Sequence, residues 1–304
     1  MENTLASIST DLAAAVAAAG RSVVTVHGRP RHASSGVHWR PGVVVTAEHT
    51  LKRDEELTVT LPDGRNIPAA LAGRDAGTDI AVLRIEAPDL PVAAAQATHP
   101  AQPGQLALSV GRSADSGVNA TMGILSAVSG PWRTWRGGQL DQYIRLDLTL
   151  YPGSSGGVVV NTAGEVLGIA TSALSRIAGL AIPASNIENA MGDLLTKGRV
   201  ARGYLGLGLQ PVELPAALVK QLNLSGAPGV IALSVEPGGP AERAGMVIGD
   251  ILVALNGKPV HGTDDVQSAL GPDSVGKAVE ALLVRGGAAA RLSITVGERP
   301  VRGN

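Results

Sequence analysis

Short apolar runs separated by turn residues fill the first two thirds of the chain. They fall at Val23–Val26, Val43–Val45, Leu57–Leu61, Ile80–Ile85, Leu106–Val110, Tyr143–Leu150, Val158–Val160 and Val166–Ala170. Runs this short predict strands, with turns at Pro62-Asp63-Gly64 and Thr162-Ala163-Gly164. Many such strands predict a mainly β fold, a barrel or a sandwich. Two helices flank them. Leu5, Ile8, Leu12 and Val16 lie at helical spacing, which predicts an amphipathic helix over residues 4–19 packed on the body or on a neighbouring subunit. Pro183 ends the last strand, and Ser185 with Glu188 three residues on reads as a capping box. The helix it opens runs to about Lys197, with Ile187, Met191, Leu194 and Leu195 as its stripe and Gly198 as its stop.

After Arg202 the texture changes. Gly203 to Leu209 reads as a glycine-rich strand, residues 214–222 as a helix and Val230–Val235 as a strand. Pro240 to Gly245 and Asp264 to Leu270 read as helices, with strands at Ile251–Leu255, Val279–Val284 and Leu292–Val296. This is a second, small α+β domain.

Composition removes several function classes. The 304 residues suffice for two domains with their own cores. A net charge of −1 gives no reason to expect nucleic acid or an anionic membrane as partner. The absence of cysteine excludes a disulfide scaffold, cysteine-ligated zinc and a cysteine nucleophile. No carboxylate cluster has calcium-loop spacing and no phosphate-binding loop occurs, so no metal, ATP or other cofactor is expected. No apolar run is long enough to predict a bilayer span. Residues 1–11 carry Glu2 and Asp11 and no Lys or Arg, so no signal peptide is read. A cytoplasmic location is expected on that ground, with a periplasmic or extracellular one as the alternative.

Three polar motifs stand against these strands. Thr46-Ala47-Glu48-His49 follows one run, Gly77-Thr78-Asp79 opens another, and Tyr151-Pro152-Gly153-Ser154-Ser155-Gly156-Gly157 precedes Val158-Val159-Val160. The glycines of the third permit a tight turn whose N–H groups can converge beside the Ser155 hydroxyl. A serine, a histidine and an aspartate are what acyl transfer needs. The histidine takes the serine proton and returns it to the leaving amine, and the aspartate fixes the ring's tautomer. Asp75 is the alternative to Asp79, and Ser154 competes with Ser155 as nucleophile. His27, His32, His38, His99 and His261 lie outside such motifs and read as surface or core residues.

The three contexts, in this order, resemble the signatures of trypsin-like serine proteases. The second domain and the lack of cysteine narrow this to a resemblance to the HtrA/Deg family, which Gly164-Glu165-Val166-Leu167-Gly168-Ile169 and Gly179-Leu180-Ala181-Ile182-Pro183 extend. The resemblance implies a chymotrypsin-like double β-barrel followed by a PDZ domain. The division it implies is an amino-terminal helix over 1–20, a protease domain over 21–183, a linker helix over 184–200 and a PDZ domain over 201–299. It implies a catalytic His49, Asp79 and Ser155, and an oxyanion hole at Gly153, Ser154 and Ser155 with the Gly153 and Ser155 N–H groups as donors. The specificity pocket would be lined by Thr149, Thr171, Ser172 and Ala173. None of these is acidic, so small aliphatic side chains are expected before the scissile bond. Two departures stand out. Glu48 precedes His49, where the family commonly has a neutral Asn or Ala, and the segment Arg112 to Asn119, an activation loop in the family, lacks an aromatic-rich pattern.

Arg202-Gly203-Tyr204-Leu205-Gly206-Leu207 is similar to a PDZ carboxylate-binding loop. The resemblance implies peptide binding by Tyr204, Leu205, Gly206 and Leu207, with Val266 and Leu270 facing the peptide's side chains. The function implied is an ATP-independent serine endopeptidase acting on unfolded or misfolded proteins, with C-terminal peptides at the PDZ domain and a homotrimeric assembly. A catalytically silent peptide-binding chaperone or adaptor on the same scaffold is the alternative.

Overall fold

The apolar runs form strands that are buried on both faces, and the reason lies in how they close. In a computed structural model describing residues 4–93, 97, 99–224 and 226–299, the chain divides into two units, Met1–Val200 and Ala201–Asn304. The first unit opens with helix α1 (Thr4–Gly20). Strands β1 (Val23–His27), β2 (Ser34–Arg40), β3 (Val43–Ala47), β4 (Leu57–Thr60), β5 (Asn66–Asp75) and β6 (Ile80–Ile85) close a barrel in the order β1-β2-β3-β6-β5-β4. A second barrel joins β7 (Leu106–Ser113) and β8 (Gly117–Ser129) to four later strands. Between them lies a ribbon of β9 (Trp132–Arg133) and β10 (Gln139–Leu140). The four are β11 (Tyr143–Asp147), β12 (Val158–Val160), β13 (Val166–Thr171) and β14 (Gly179–Pro183), closed in the order β11-β14-β13-β12-β7-β8.

Successive side chains of a strand point to opposite faces. Val24, Val26, Val44, Ala81 and Leu83 fill the first barrel. Their neighbours Val23, Val37, Val43, Val45, Ile80 and Val82 join Val110, Val158, Val160, Ile169 and Ile182 of the second barrel in one seam. Both faces are therefore apolar, and the runs are continuous rather than alternating. Each buried Val, Leu or Ile contributes about 1.5–3 kcal/mol.

Helix α2 (Ala184–Lys197) follows β14 and buries Ile187, Met191 and Leu194 in the same seam. The predicted capping box does not form: Pro183 is the N-cap, with no side-chain cap bond. Glu188 turns away because Trp39 Nε1 donates to it at 2.6 Å and Arg40 pairs with it. Along α1 only the second half of the predicted stripe meets the body. Leu12 and Val16 pack against the seam, whereas Leu5 and Ile8 are exposed. The segment Arg112 to Asn119 is the tip of the β7–β8 hairpin, with Arg112 opposite Val118 and Ser113 opposite Gly117. The hairpin shows no continuous apolar run because, along β8, the exposed Val118, Ala120, Met122 and Ile124 alternate with Asn119, Thr121 and Gly123.

In the second unit β15 (Gly203–Tyr204) pairs with the terminal β22 (Gly297–Glu298). The main sheet runs β16 (Leu207–Glu213), β17 (Pro228–Val235), β18 (Ile251–Leu255), β20 (Ala278–Arg285) and β21 (Ala288–Thr295), with β19 (Lys258–Pro259) beside β18. Helices α3 (Ala216–Gln221), α4 (Pro240–Arg243) and α5 (Thr263–Ala269) complete it. The single strand predicted over Gly203 to Leu209 is broken at Gly206, whose φ is +76°. Strand β16 forms one edge of the sheet, and α5 packs beside it. Val230, Ala232, Leu252, Leu283 and Val266 lie in this unit's core.

Candidate active site

His49 sits on a single 3-10 turn, Glu48–Thr50, directly after β3. Asp79 precedes β6, the neighbour of β3 in the first barrel, so the ladder itself brings the two residues together. The Glu48 N–H donates to the Asp79 carbonyl at 3.0 Å. The His49 N–H donates to Asp79 Oδ1 at 2.8 Å, and His49 Nδ1–H donates to Oδ2 at 2.9 Å. Asp79 is fully buried, where a carboxylate is tolerated only with donors around it. Its third donor is the Thr171 hydroxyl at the end of β13, 2.5 Å from Oδ2. Its φ of +61° lies in the left-handed region, which aspartate tolerates better than most residues. Asp75, the alternative, accepts from Gly77 N at 3.0 Å and the Thr78 hydroxyl at 2.6 Å, so it braces the turn leading to Asp79. His27 bonds Thr60, and His38 bonds the Pro91 carbonyl and the Gly42 N–H.

Ser155 lies between β11 and β12. Tyr151-Pro152-Gly153-Ser154 forms a turn closed by Ser154 N–H to the Tyr151 carbonyl at 2.9 Å. Proline at the second position and a φ of +91° at Gly153 are the marks of a type II turn, and the positive φ is why the third residue is glycine. Among the described residues neither the Gly153 nor the Ser155 N–H donates to a protein acceptor. The Ser154 N–H is engaged within the turn, so of the three residues expected at the oxyanion hole only Gly153 and Ser155 offer an open donor. Gly156 is held close to the first barrel: a Cβ there would lie 2.2 Å from the Ser35 carbonyl oxygen. The Ser155 hydroxyl shares a 3.2 Å hydrogen bond with the Ser172 hydroxyl. Among the described residues no hydrogen bond joins it to His49, and such bonds are often long before substrate binds.

The expected pocket residues divide. Thr149 and Ser172 are exposed and Ala173 is half-buried. Thr171 is fully buried with its hydroxyl on Asp79, so its side chain braces the aspartate rather than lining a pocket. One signal marked it: a lone hydroxyl ending the apolar run of β13 must find a partner.

Glu48 is paired with two arginines remote in sequence, Arg136 Nη1 at 3.4 Å and Arg74 Nε at 3.7 Å. Burial raises the Glu48 carboxyl above its ordinary pKa, Arg74 opposes this, and Asp79 adds to it. The two cations offset the charge that the sequence places beside His49. Trp135 is exposed beneath the Arg136 guanidinium, 4.9 Å from the ring centre, and its indole N–H reaches the Ala173 carbonyl at 3.4 Å. Trp132 packs edge-on against Tyr143.

In the second unit Leu205 is buried in the core, and its carbonyl accepts from Ala241 N–H at 2.8 Å. The Leu205 and Gly206 N–H groups donate to no protein acceptor among the described residues. Leu207 opens the edge strand β16 opposite Val235. Tyr204 bonds Glu236 through its hydroxyl. Val266 on α5 is buried in the core and Leu270 caps that helix, half-buried.

Two closed six-stranded barrels with this His–Asp pair and serine turn define a trypsin-like serine peptidase fold, and the second unit is a PDZ domain. Family comparison agrees: the trypsin-like peptidase domain matches residues 34–169 and the PDZ domain residues 231–285. The chain is 31% identical over 264 residues to "Probable periplasmic serine endoprotease DegP-like" of Halomonas elongata, covering 85% of this chain and 55% of that protein. It is 33% identical over 279 residues to the protein of that name in Rhizobium meliloti, covering 90% and 54%. The chain thus spans about half the length of the curated relatives it matches. Among solved structures, the serine endoprotease from Yersinia pestis has a TM-score of 0.77 at 31% identity, covering 94% of this chain and 97% of that one. The HtrA-type protease AlgW with a decapeptide has a TM-score of 0.78 at 26% identity, covering 95% and 99%. This chain belongs to the HtrA/Deg family of trypsin-like serine endoproteases. The periplasmic relatives overturn the cytoplasmic location expected from the acidic amino terminus.

Proposed function

We propose that the chain is an ATP-independent serine endopeptidase of the periplasm that degrades unfolded or misfolded proteins. The division proposed is a protease domain over residues 21–183, helices on either side of it, and a PDZ domain over 201–299. The observation that carries the reading is the buried Asp79 carboxylate holding His49 through both its backbone N–H and its ring N–H. That grip fixes the tautomer in which Nε2 is free to accept a proton. In the proposed mechanism the Ser155 hydroxyl leaves Ser172 and attacks the scissile carbonyl while His49 takes its proton. The Gly153 and Ser155 N–H groups bind the oxygen that becomes negative. His49 then protonates the leaving amine, and a water activated by the same ring releases the acyl group.

The uncharged Thr149, Ser172 and Ala173 favour small aliphatic side chains in the specificity pocket, since a basic one would be desolvated without a counter-charge. At the PDZ domain the free edge of β16 would accept an extended peptide as an added strand, its carboxylate held by the open Leu205 and Gly206 N–H groups. The half-buried Leu270 favours an apolar C-terminus, whereas Val266, expected to face the peptide, is buried in the core and anchors the helix beside it. A solved HtrA-type relative that carries a peptide supports this reading. A homotrimer is the proposed assembly.

Digestion of unfolded casein, with Ser155→Ala as control, tests the proposal. Cleavage by the wild type after small aliphatic residues and none by the variant is expected. No cleavage by the wild type, even with apolar C-terminal peptides added, would refute it and favour a chaperone or adaptor.

A further inference from the structure

Ser35, on β2 of the first barrel, bonds the nucleophile turn of the second barrel with both of its donors. Its N–H donates to the Ser155 carbonyl at 3.2 Å, and its hydroxyl donates to the Gly153 carbonyl at 2.8 Å. These two carbonyls bracket Ser154, and they belong to the residues whose own N–H groups are the open donors. The Ser35 hydroxyl also accepts from Arg112 N–H at 3.0 Å. Its carbonyl accepts from the Thr46 hydroxyl at 2.6 Å, three residues before His49. Ser35 is fully buried, so water cannot replace any of these partners.

The geometry needs such a clamp. His49 and Asp79 are carried by the first barrel, and Ser155 by the second. A type II turn differs from a type I turn mainly by a flip of its central peptide, here Pro152–Gly153. Fixing the Gly153 and Ser155 carbonyls sets the frame within which the Gly153 N–H keeps its orientation. We propose that Ser35 is a positioning residue for the oxyanion hole: it locks the Gly153–Ser155 turn to the barrel that carries His49 and Asp79. The inference rests on the proteolytic reading of the site.

Ser35→Ala removes one clamp bond and keeps the other. Misalignment of a donor acts on the transition state rather than on substrate binding, so kcat should fall about tenfold to a hundredfold with KM little changed. Affinity for a peptide boronate, whose tetrahedral adduct needs the hole, should fall in parallel, while affinity for a cleaved product peptide should not. Ser35→Thr, which retains the hydroxyl, should recover most of the loss. If tryptophan fluorescence shows Ser35→Ala to be unfolded, Gly111→Ala replaces it: its Cβ would lie 2.8 Å from the Ser35 hydroxyl oxygen and displace it. The same loss of kcat is expected there. With an active wild type, a kcat within about twofold in the folded variant, or an equal loss of boronate and product affinity, overturns the proposal. A wild type that cleaves nothing overturns the reading beneath it, and the proposal with it.

Discussion

Thr171→Val isolates the hydroxyl that braces Asp79. Valine keeps the shape and loses only the polar atom. That atom donates to Asp79 Oδ2 at 2.5 Å and accepts from Ala173 N–H at 3.0 Å. Hydrogen bonds to a charged group contribute about 1.5–3 kcal/mol, and the fully buried Asp79 has no water to take the vacant place. Ala173 is half-buried and its N–H can turn to solvent, so its share is small. A loss of about 2 kcal/mol is expected for the first unit. All three tryptophans, Trp39, Trp132 and Trp135, lie in that unit, so urea unfolding followed by tryptophan fluorescence reports on it alone. The midpoint should fall with the slope unchanged. A looser Asp79 also orients His49 less well, and kcat should fall about tenfold with little change in KM. A stability change below about 0.5 kcal/mol together with an unchanged kcat would refute the claim that this hydroxyl holds the aspartate.

Two further predictions concern buried carboxylates. Burial raises the Glu48 carboxyl, so the fold favours its protonated form; the linked stability is present below the ordinary value of about 4.3 and is lost as pH rises through the raised one. The stability of Glu48→Gln relative to wild type should therefore increase from about pH 4 to pH 7, and a difference that does not vary with pH contradicts this. In the PDZ unit, hydrogen bonds from Arg285 hold the Asp250 carboxyl below its ordinary value, with a further bond from Val247 N–H. Asp250→Ala should cost about 2 kcal/mol at pH 7. The cost should shrink as pH falls below about 4 toward the depressed value, because the paired form is then lost in the wild type too. Far-ultraviolet circular dichroism of the second unit's melting reads this, and a cost that does not change with pH would count against it.

The parts of the fold written in consecutive residues were legible in advance. Val43–Val45 and Val158–Val160 announce strands because barrel and seam bury both of their faces. His49, Asp79 and Ser155 were marked by short motifs whose glycines and polar residues serve a local turn. What depends on contact between distant segments was not legible. Thr171 reads as a pocket residue until the second barrel brings it to Asp79, 92 positions away. Glu48 reads as an unopposed charge until Arg74 and Arg136 close on it. Strand β8 offers no continuous apolar run, because Asn119, Thr121 and Gly123 alternate with its exposed Val118, Ala120, Met122 and Ile124.

The central claim, that Ser155 is a nucleophile activated by His49, is tested most directly with a fluorophosphonate probe and peptide mass spectrometry of the intact chain. One adduct, carried by Ser155 and lost in His49→Ala, is the predicted result. An adduct on Ser154, or labelling of Ser155 that is indifferent to His49, would contradict it.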